Sequence, residues 1–201
     1  MNVEEIIREK FKVVDGGRPP FACDGTRMEL AALFAELGYT KGAEIGVLRA
    51  YYSISLCQII PNLELICVDP WLPLRQPRSY RHQAAMDSMY NKVVEWMKPY
   101  GSKIMRMTSM EAAKLVPDNS LDFVYIDAAH DFDNVMADIT AWEPKVRIGG
   151  IVSGHDYVNN RKITVAKAVD EYVSLHNIDS YYRTIADSPI DGHPSWFWVR
   201  K

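Results

Sequence analysis

Apolar positions recur at helical spacing over 3–12 and again over 26–37, where Leu30, Leu33, Phe34 and Leu37 share one face and Gly38 marks the stop. These segments predict an N-terminal helical layer over 1–40. From residue 42 onward, short continuous apolar runs alternate with longer amphipathic ones. Strands are expected over 42–46, 63–68, 103–107, 122–126 and 150–153, and helices over 52–60, 79–97, 110–115, 132–142 and 165–176. Runs such as LELICV and FVYI lack polar alternation, the mark of strands covered on both faces. Two last runs, 180–186 and 195–200, are joined only by 187–194, too short for a parallel crossover, so they must pair antiparallel. The pattern therefore predicts an α/β, Rossmann-like domain spanning 1–201. Its seven-stranded, mainly parallel sheet has helices on both faces and a C-terminal antiparallel strand pair.

Composition narrows the choice of partners. A chain of 201 residues with 48% hydrophobic content can bury one sizeable core but not two. A net charge of −3 gives no basic field for a polyphosphate, so nucleic acid is not expected as a partner. No apolar run approaches the ~20 residues that span a bilayer. The opening MNVEEIIREKFK is too charged for a secretory leader, so no membrane partner and a cytoplasmic location are expected. Cys57 and Cys67 lie in apolar surroundings that suit buried thiols.

The candidate chemistry gathers where strands end. In 43–53, AEIGVLRAYYS, a strand runs into a turn at Gly46 and launches a helix, a geometry that offers free backbone amides to an anionic ligand. Asp69 closes the next strand 23 residues downstream, near the ~20-residue offset at which an acid meets ribose hydroxyls. Asp127 ends the strand FVYI, with His130 three residues on, and His155 and Asp156 follow the strand over 150–153. Adjacent strands lie about 4.8 Å apart, so the two carboxylates can converge on one ion or one hydroxyl. Oxygen donors favour Mg²⁺, whereas imidazole shifts the balance toward Mn²⁺, Fe²⁺ or Zn²⁺. Asp127 and Asp156 are the candidate metal ligands. His130 and His155 are candidate bases, because histidine titrates near neutrality and an adjacent Asp can orient it.

Four blocks in this order, EIGV (44–47), VDPW (68–71), IDAAH (126–130) and GGIVSGHDY (149–157), resemble class I S-adenosylmethionine-dependent methyltransferases that act on small molecules. The resemblance covers 26–201. It implies S-adenosyl-L-methionine as cofactor, with Glu44 and Gly46 beside its methionine part, Asp69 on the ribose and Trp71 and Ser109 flanking the adenine. Ser53 and Asp127 are counted among the residues that bind it. Ala50, preceded by Arg49, stands where such enzymes commonly carry a further glycine. By this resemblance the acceptor is a small-molecule hydroxyl, on a sugar, polyketide or phenol-like compound, with Mg or Mn as the assisting metal. An NAD-dependent oxidoreductase and a non-catalytic nucleoside-binding subunit remain open, as does a homo-oligomer.

The remaining charges read as structural. Asp131 is placed to cap the helix that begins at Phe132, and Asp118, Asp122, Asp133 and Asp138 read as caps or solvated positions. Arg49 reads as a surface charge unless it turns inward to a cofactor carboxylate. The loop 70–82, with Arg75, Arg78 and Arg81, is a candidate lid, and 187–194 is expected on the same rim as the cluster. Trp196, Phe197 and Trp198 read as core or dimer contact.

Overall fold

The computed structural model describes residues 2–13, 17–73, 78–185 and 192–201. Eight strands, β1 (Phe21–Cys23), β2 (Lys41–Ile45), β3 (Glu64–Val68), β4 (Lys103–Met105), β5 (Leu121–Ile126), β6 (Val146–Gly154), β7 (Tyr182–Thr184) and β8 (Trp196–Val199), form one sheet. Their order is β1-β7-β8-β6-β5-β2-β3-β4. All neighbours run parallel except β8, which is antiparallel to β6 and to β7. The expected antiparallel ending is therefore present. The sheet has eight strands, not the expected seven, because β1 pairs with Tyr182–Thr184 at the edge. The segment ahead of residue 40 is thus not purely helical; three residues are too few to show an alternating pattern.

Helices α1 (Val3–Lys10), α2 (Arg27–Glu36), α3 (Tyr51–Ile59) and α4 (Gln83–Met97) cover one face, and α5 (Ser109–Ala113), α6 (Phe132–Trp142) and α7 (Val165–Leu175) cover the other. Strand residues divide between the two cores by the period of two that a pleated strand imposes. Phe123 and Tyr125 of β5 face α1 to α4, while Val124 and Ile126 face α5 to α7. In β8, Phe197 joins the first core and Trp196 and Trp198 join the second. All three are fully buried, so they are core and not an exposed contact.

Local chemistry sets the helix starts. Thr26 and Glu29 form a reciprocal capping box on α2, Thr108 and Glu111 do the same on α5, and Asp131 caps α6 as its position predicts. After α2, Gly38 adopts φ +69° and ends the helix. At Gly42 a β-carbon would lie 2.2 Å from the Phe123 ring, which stacks on Phe34 at 4.2 Å. Among the described residues no helix is long and apolar enough to cross a membrane.

Candidate active site at the switch point of the sheet

The chain runs outward from β2 to β3 and β4, then returns to β5 and β6 on the other side of β2. The seam between β2 and β5 is therefore the topological switch point, the place where open α/β sheets bind ligands beyond their strand ends. Register aligns the candidate residues there. Ile45 pairs with Val68 and with Ile126, and Ile126 pairs with Gly154. Asp69, Gly46, Asp127 and His155, each the next residue in its strand, consequently form one row across the rim.

The turn after β2 is held tightly. Gly46 has φ +93°, and a β-carbon there would meet the Asp127 carbonyl oxygen at 2.1 Å. Leu48 and Ala50 also carry positive φ, at 43° and 56°, without being glycine. That conformation costs an L residue about 1–2 kcal/mol each. Neighbouring groups hold it in place. The Leu48 amide donates to Asp69 Oδ2 at 2.9 Å, and Trp71 Nε1 donates to the Leu48 carbonyl at 3.1 Å. Ala50 has no side chain that could cap α3, so the positive end of the helix dipole faces the rim, where it favours a carboxylate. This uncapped start suits the amino-acid end of the expected cofactor.

Glu44 lies beneath the turn, almost fully buried, and its Oε2 accepts from the Ser53 hydroxyl. Burial raises its carboxyl to about 8 against the opposing Ser53 bond. Burial thus favours its neutral form, and the Ser53 bond ties it to the first turn of α3.

Several assigned residues have contacts that their chain positions did not report. Asp69 also braces the turn, its Oδ2 accepting from the Leu48 amide and its Oδ1 from the Trp71 amide at 2.6 Å, and each oxygen keeps a lone pair for a ribose hydroxyl. Burial raises its carboxyl, and these backbone bonds oppose that rise. Trp71 has φ 44°, its indole is fully buried, and it packs edge-on against Tyr90, so it presents no exposed ring face to the rim. Ser109 faces α6, where its hydroxyl accepts from Trp142 Nε1 at 2.8 Å. Asp138 is buried beside Ser109, with its carboxyl raised by burial, so it is neither a cap nor a solvated charge. Arg49 is not a free surface charge, because its Nε donates to the Tyr80 hydroxyl. Arg75 and 187–191 lie outside the described residues.

The acid and histidine cluster does assemble. His130 Nε2 lies 3.1 Å from Asp156 Oδ2 and 3.6 Å from Asp127 Oδ1. His155 Nδ1 lies 3.3 Å from Asp156 Oδ1 and 3.9 Å from Asp127 Oδ1. His193 joins them, its Nδ1 2.6 Å from Asp156 Oδ1, and the sequence patterns did not single it out. The available signal was the position of 187–194 between two antiparallel strands. Trp196 pairs with Gly154, so the residues before Trp196 must run out past the end of β6. The Tyr157 amide donates to the Pro194 carbonyl at 2.8 Å, and Trp196 Nε1 donates to the His155 carbonyl at 3.1 Å.

Electrostatics follow from this geometry. For Asp156 burial acts upward, but the His155 bond, the His130 and His155 charges and the His193 bond hold the carboxyl far below the usual range. His130 is raised, chiefly by its bond to Asp127 and against burial, with the Asp156 charge assisting. Ligand atoms of Asp127, His130 and Asp156 all lie within 4.8 Å of one another, a spacing that fits a metal ion. A cleft of about 720 Å³ sits at the opposite edge, around the starts of β2 to β5. It gathers no comparable acid and imidazole groups and is remote from this chemistry.

A strand–turn–helix cradle at the switch point, facing an Asp/His cluster, is the architecture of a class I methyltransferase-type fold. A family model described as a methyltransferase domain matches residues 43–157, more than half of the chain. The chain belongs to this methyltransferase family, of the class I S-adenosylmethionine-dependent kind. The family decides against a nicotinamide-dependent oxidoreductase.

The fold is similar to an O-methyltransferase from Bacillus cereus solved in complex with SAH, with TM-score 0.60, 13% identity, and coverage of 98% of this chain and 90% of that one. It is likewise similar to the O-methyltransferase TomG from Streptomyces achromogenes, involved in tomaymycin synthesis and solved with SAM. There the TM-score is 0.59 and the identity 15%, over 99% of this chain and 89% of that one. A curated relative, the uncharacterized protein y4gI from Sinorhizobium fredii, is 26% identical over 119 residues, 56% of this chain. The match spans 12% of that relative's length.

Proposed function

We propose that the protein transfers a methyl group from S-adenosyl-L-methionine to a hydroxyl of a small molecule. The observation that carries this reading is the Asp127, His130, Asp156 and His193 cluster set directly across the switch-point seam from the Gly46 turn. S-adenosylmethionine, when bound, supplies an activated methyl on a sulfonium. What remains for the protein is to align the acceptor oxygen and receive its proton. The start of α3 would favour the cofactor's carboxylate end, and Gly46 lets the turn lie close against β5. An imidazole of the cluster takes the hydroxyl proton while Asp156 orients the ring, the division of labour that suits histidine near neutrality. With the cofactor bound, transfer to the acceptor oxygen would leave the proton on an imidazole of the cluster.

Asp127, His130 and Asp156 would hold a divalent ion, which would lower the pKa of an acceptor hydroxyl bound to it. The structural neighbours solved with SAM or SAH support the cofactor, and the two described in those terms as O-methyltransferases support oxygen as acceptor atom.

The test is calorimetric titration with S-adenosylmethionine, followed by a methyl-label transfer screen over hydroxylated acceptors. Micromolar cofactor binding with labelled ether products supports the reading. Cofactor binding with no labelled product across the screen favours a nucleoside-binding subunit, and no cofactor binding overturns it.

A further inference from the structure

We propose that Asp127, His130 and Asp156 form a site that selects a divalent transition cation such as Zn²⁺ or Co²⁺ over Mg²⁺, with His193 holding Asp156 in its coordinating position. The proposal sharpens the reading of the same cluster given above, and rests on it only for placing the cation beside the acceptor.

Its basis is the shape of the gap between the three donors. Around an ion with bonds of ~2.1 Å, adjacent ligand atoms lie about 3.0 Å apart in an octahedron and about 3.4 Å apart in a tetrahedron. His130 Nε2 stands 3.1 Å from Asp156 Oδ2 and 3.6 Å from Asp127 Oδ1, close to those edges. The whole donor set fits within 4.8 Å, so small side-chain shifts close it on one ion. Three protein donors leave positions open for an oxygen of the acceptor, as at other catalytic metal sites.

The identity of the donors decides the metal. Mg²⁺ prefers oxygen and sheds water reluctantly, so an imidazole in a three-donor set adds little to its binding. Borderline cations gain directly from that nitrogen, and affinities rise along the first-row series from Mn²⁺ toward Zn²⁺. The surroundings reinforce the choice. Asp156 Oδ1 is contacted by His193 Nδ1 at 2.6 Å and by His155 Nδ1 at 3.3 Å, while Oδ2 faces His130. One oxygen is thus fixed by outer imidazoles and the other is presented to the ion, the arrangement that orients ligating carboxylates. Asp156 keeps this aim from a left-handed backbone position, φ 57°, locked by the Tyr157 bond to Pro194.

The experiment takes the full chain, stripped with chelator and desalted. It is titrated by calorimetry with ZnCl₂, MnCl₂ and MgCl₂, and with CoCl₂ followed by visible absorption. The expected result is one Zn²⁺ or Co²⁺ per chain, bound at least ~100-fold more tightly than Mg²⁺. His193→Gln weakens Co²⁺ binding by about 10- to 100-fold, the usual loss on removing an outer-sphere partner. His130→Ala loses the tight site. Protein labelled with ¹⁵N-histidine reports the same point without a variant, because Zn²⁺ must move a ring-nitrogen resonance of an imidazole. Equal affinity for Mg²⁺ and Zn²⁺, the absence of a stoichiometric site, or unmoved ring-nitrogen signals would overturn the proposal. Titration of the same samples with S-adenosylmethionine separates the two readings. Cofactor binding without cation binding sinks this inference alone, and cation binding without cofactor binding sinks the methyl-transfer reading alone.

Discussion

Gly46 meets two independent demands, a φ of +93° and the absence of any atom where a β-carbon would strike the Asp127 carbonyl. Gly46→Ala is therefore expected to cost about 2–5 kcal/mol, the sum of left-handed strain and overpacking, and to abolish cofactor binding. Urea unfolding and calorimetry with S-adenosylmethionine check the two parts. Glu44 gives a pH signature. Its carboxyl, ordinarily near 4.5, is raised to about 8 by burial, so the fold favours the neutral acid while the unfolded chain ionises it near 4.5. That contribution to stability is full below about 4.5 and is lost as pH rises through about 8. Glu44→Gln keeps an acceptor for Ser53 and cannot ionise, so its melting temperature should fall less than the wild type's between pH 5 and pH 8. Parallel curves would remove Glu44 as the source. Residue order alone located Glu44, Gly46 and the Asp/His cluster, because a strand end fixes where a residue sits. It did not reveal the partners of Trp71 and Ser109, because chain position does not report which way a side chain turns. Trp71, three residues past the end of β3, has a positive φ and a buried indole, and Ser109 turns toward Trp142.

At the scale of elements, β8 decides how complete the site is. Running antiparallel to β6, it brings Trp196 against Gly154, where a β-carbon would lie 2.4 Å from the indole, and it carries His193 out to Asp156. Trp196→Phe leaves the buried His155 carbonyl without its indole donor. The expected loss is about 1–3 kcal/mol, measured by urea denaturation. Wild-type stability in that variant would show that the indole bond does not hold the rim. The parallel strands were legible because their apolar runs are long and uninterrupted. The antiparallel pairing of the last strands followed from the short connection. Which residues of that connection face the cluster did not, since register between β6 and β8 depends on packing around Gly154 that no local pattern records. Strand β1 was invisible for a simpler reason: three residues beside Pro19 and Pro20 carry no period.

Across the whole molecule, the N-terminal layer is part of the core on one face of the sheet. Ile7 and Phe11 are buried, Phe11 packs on Phe197 at 5.8 Å, and β1 covers the β7 edge. Deleting 2–25 should expose that edge and the Phe197 side of β8, giving lower thermal stability and self-association by size-exclusion chromatography. A monomeric, equally stable truncation would assign the layer a separate role. The antiparallel return of β8 has a further consequence during biosynthesis. His193 leaves the ribosome 37 residues after the Asp156 it touches, when every other member of the cluster has already been made. A nascent or prematurely terminated chain can therefore form the cofactor turn while Asp156 still lacks its outer partner. Because β8 lies between β6 and β7 and fills both cores, loss of the late segment through a stop codon or proteolysis would remove the last cluster residue and the middle of the sheet together.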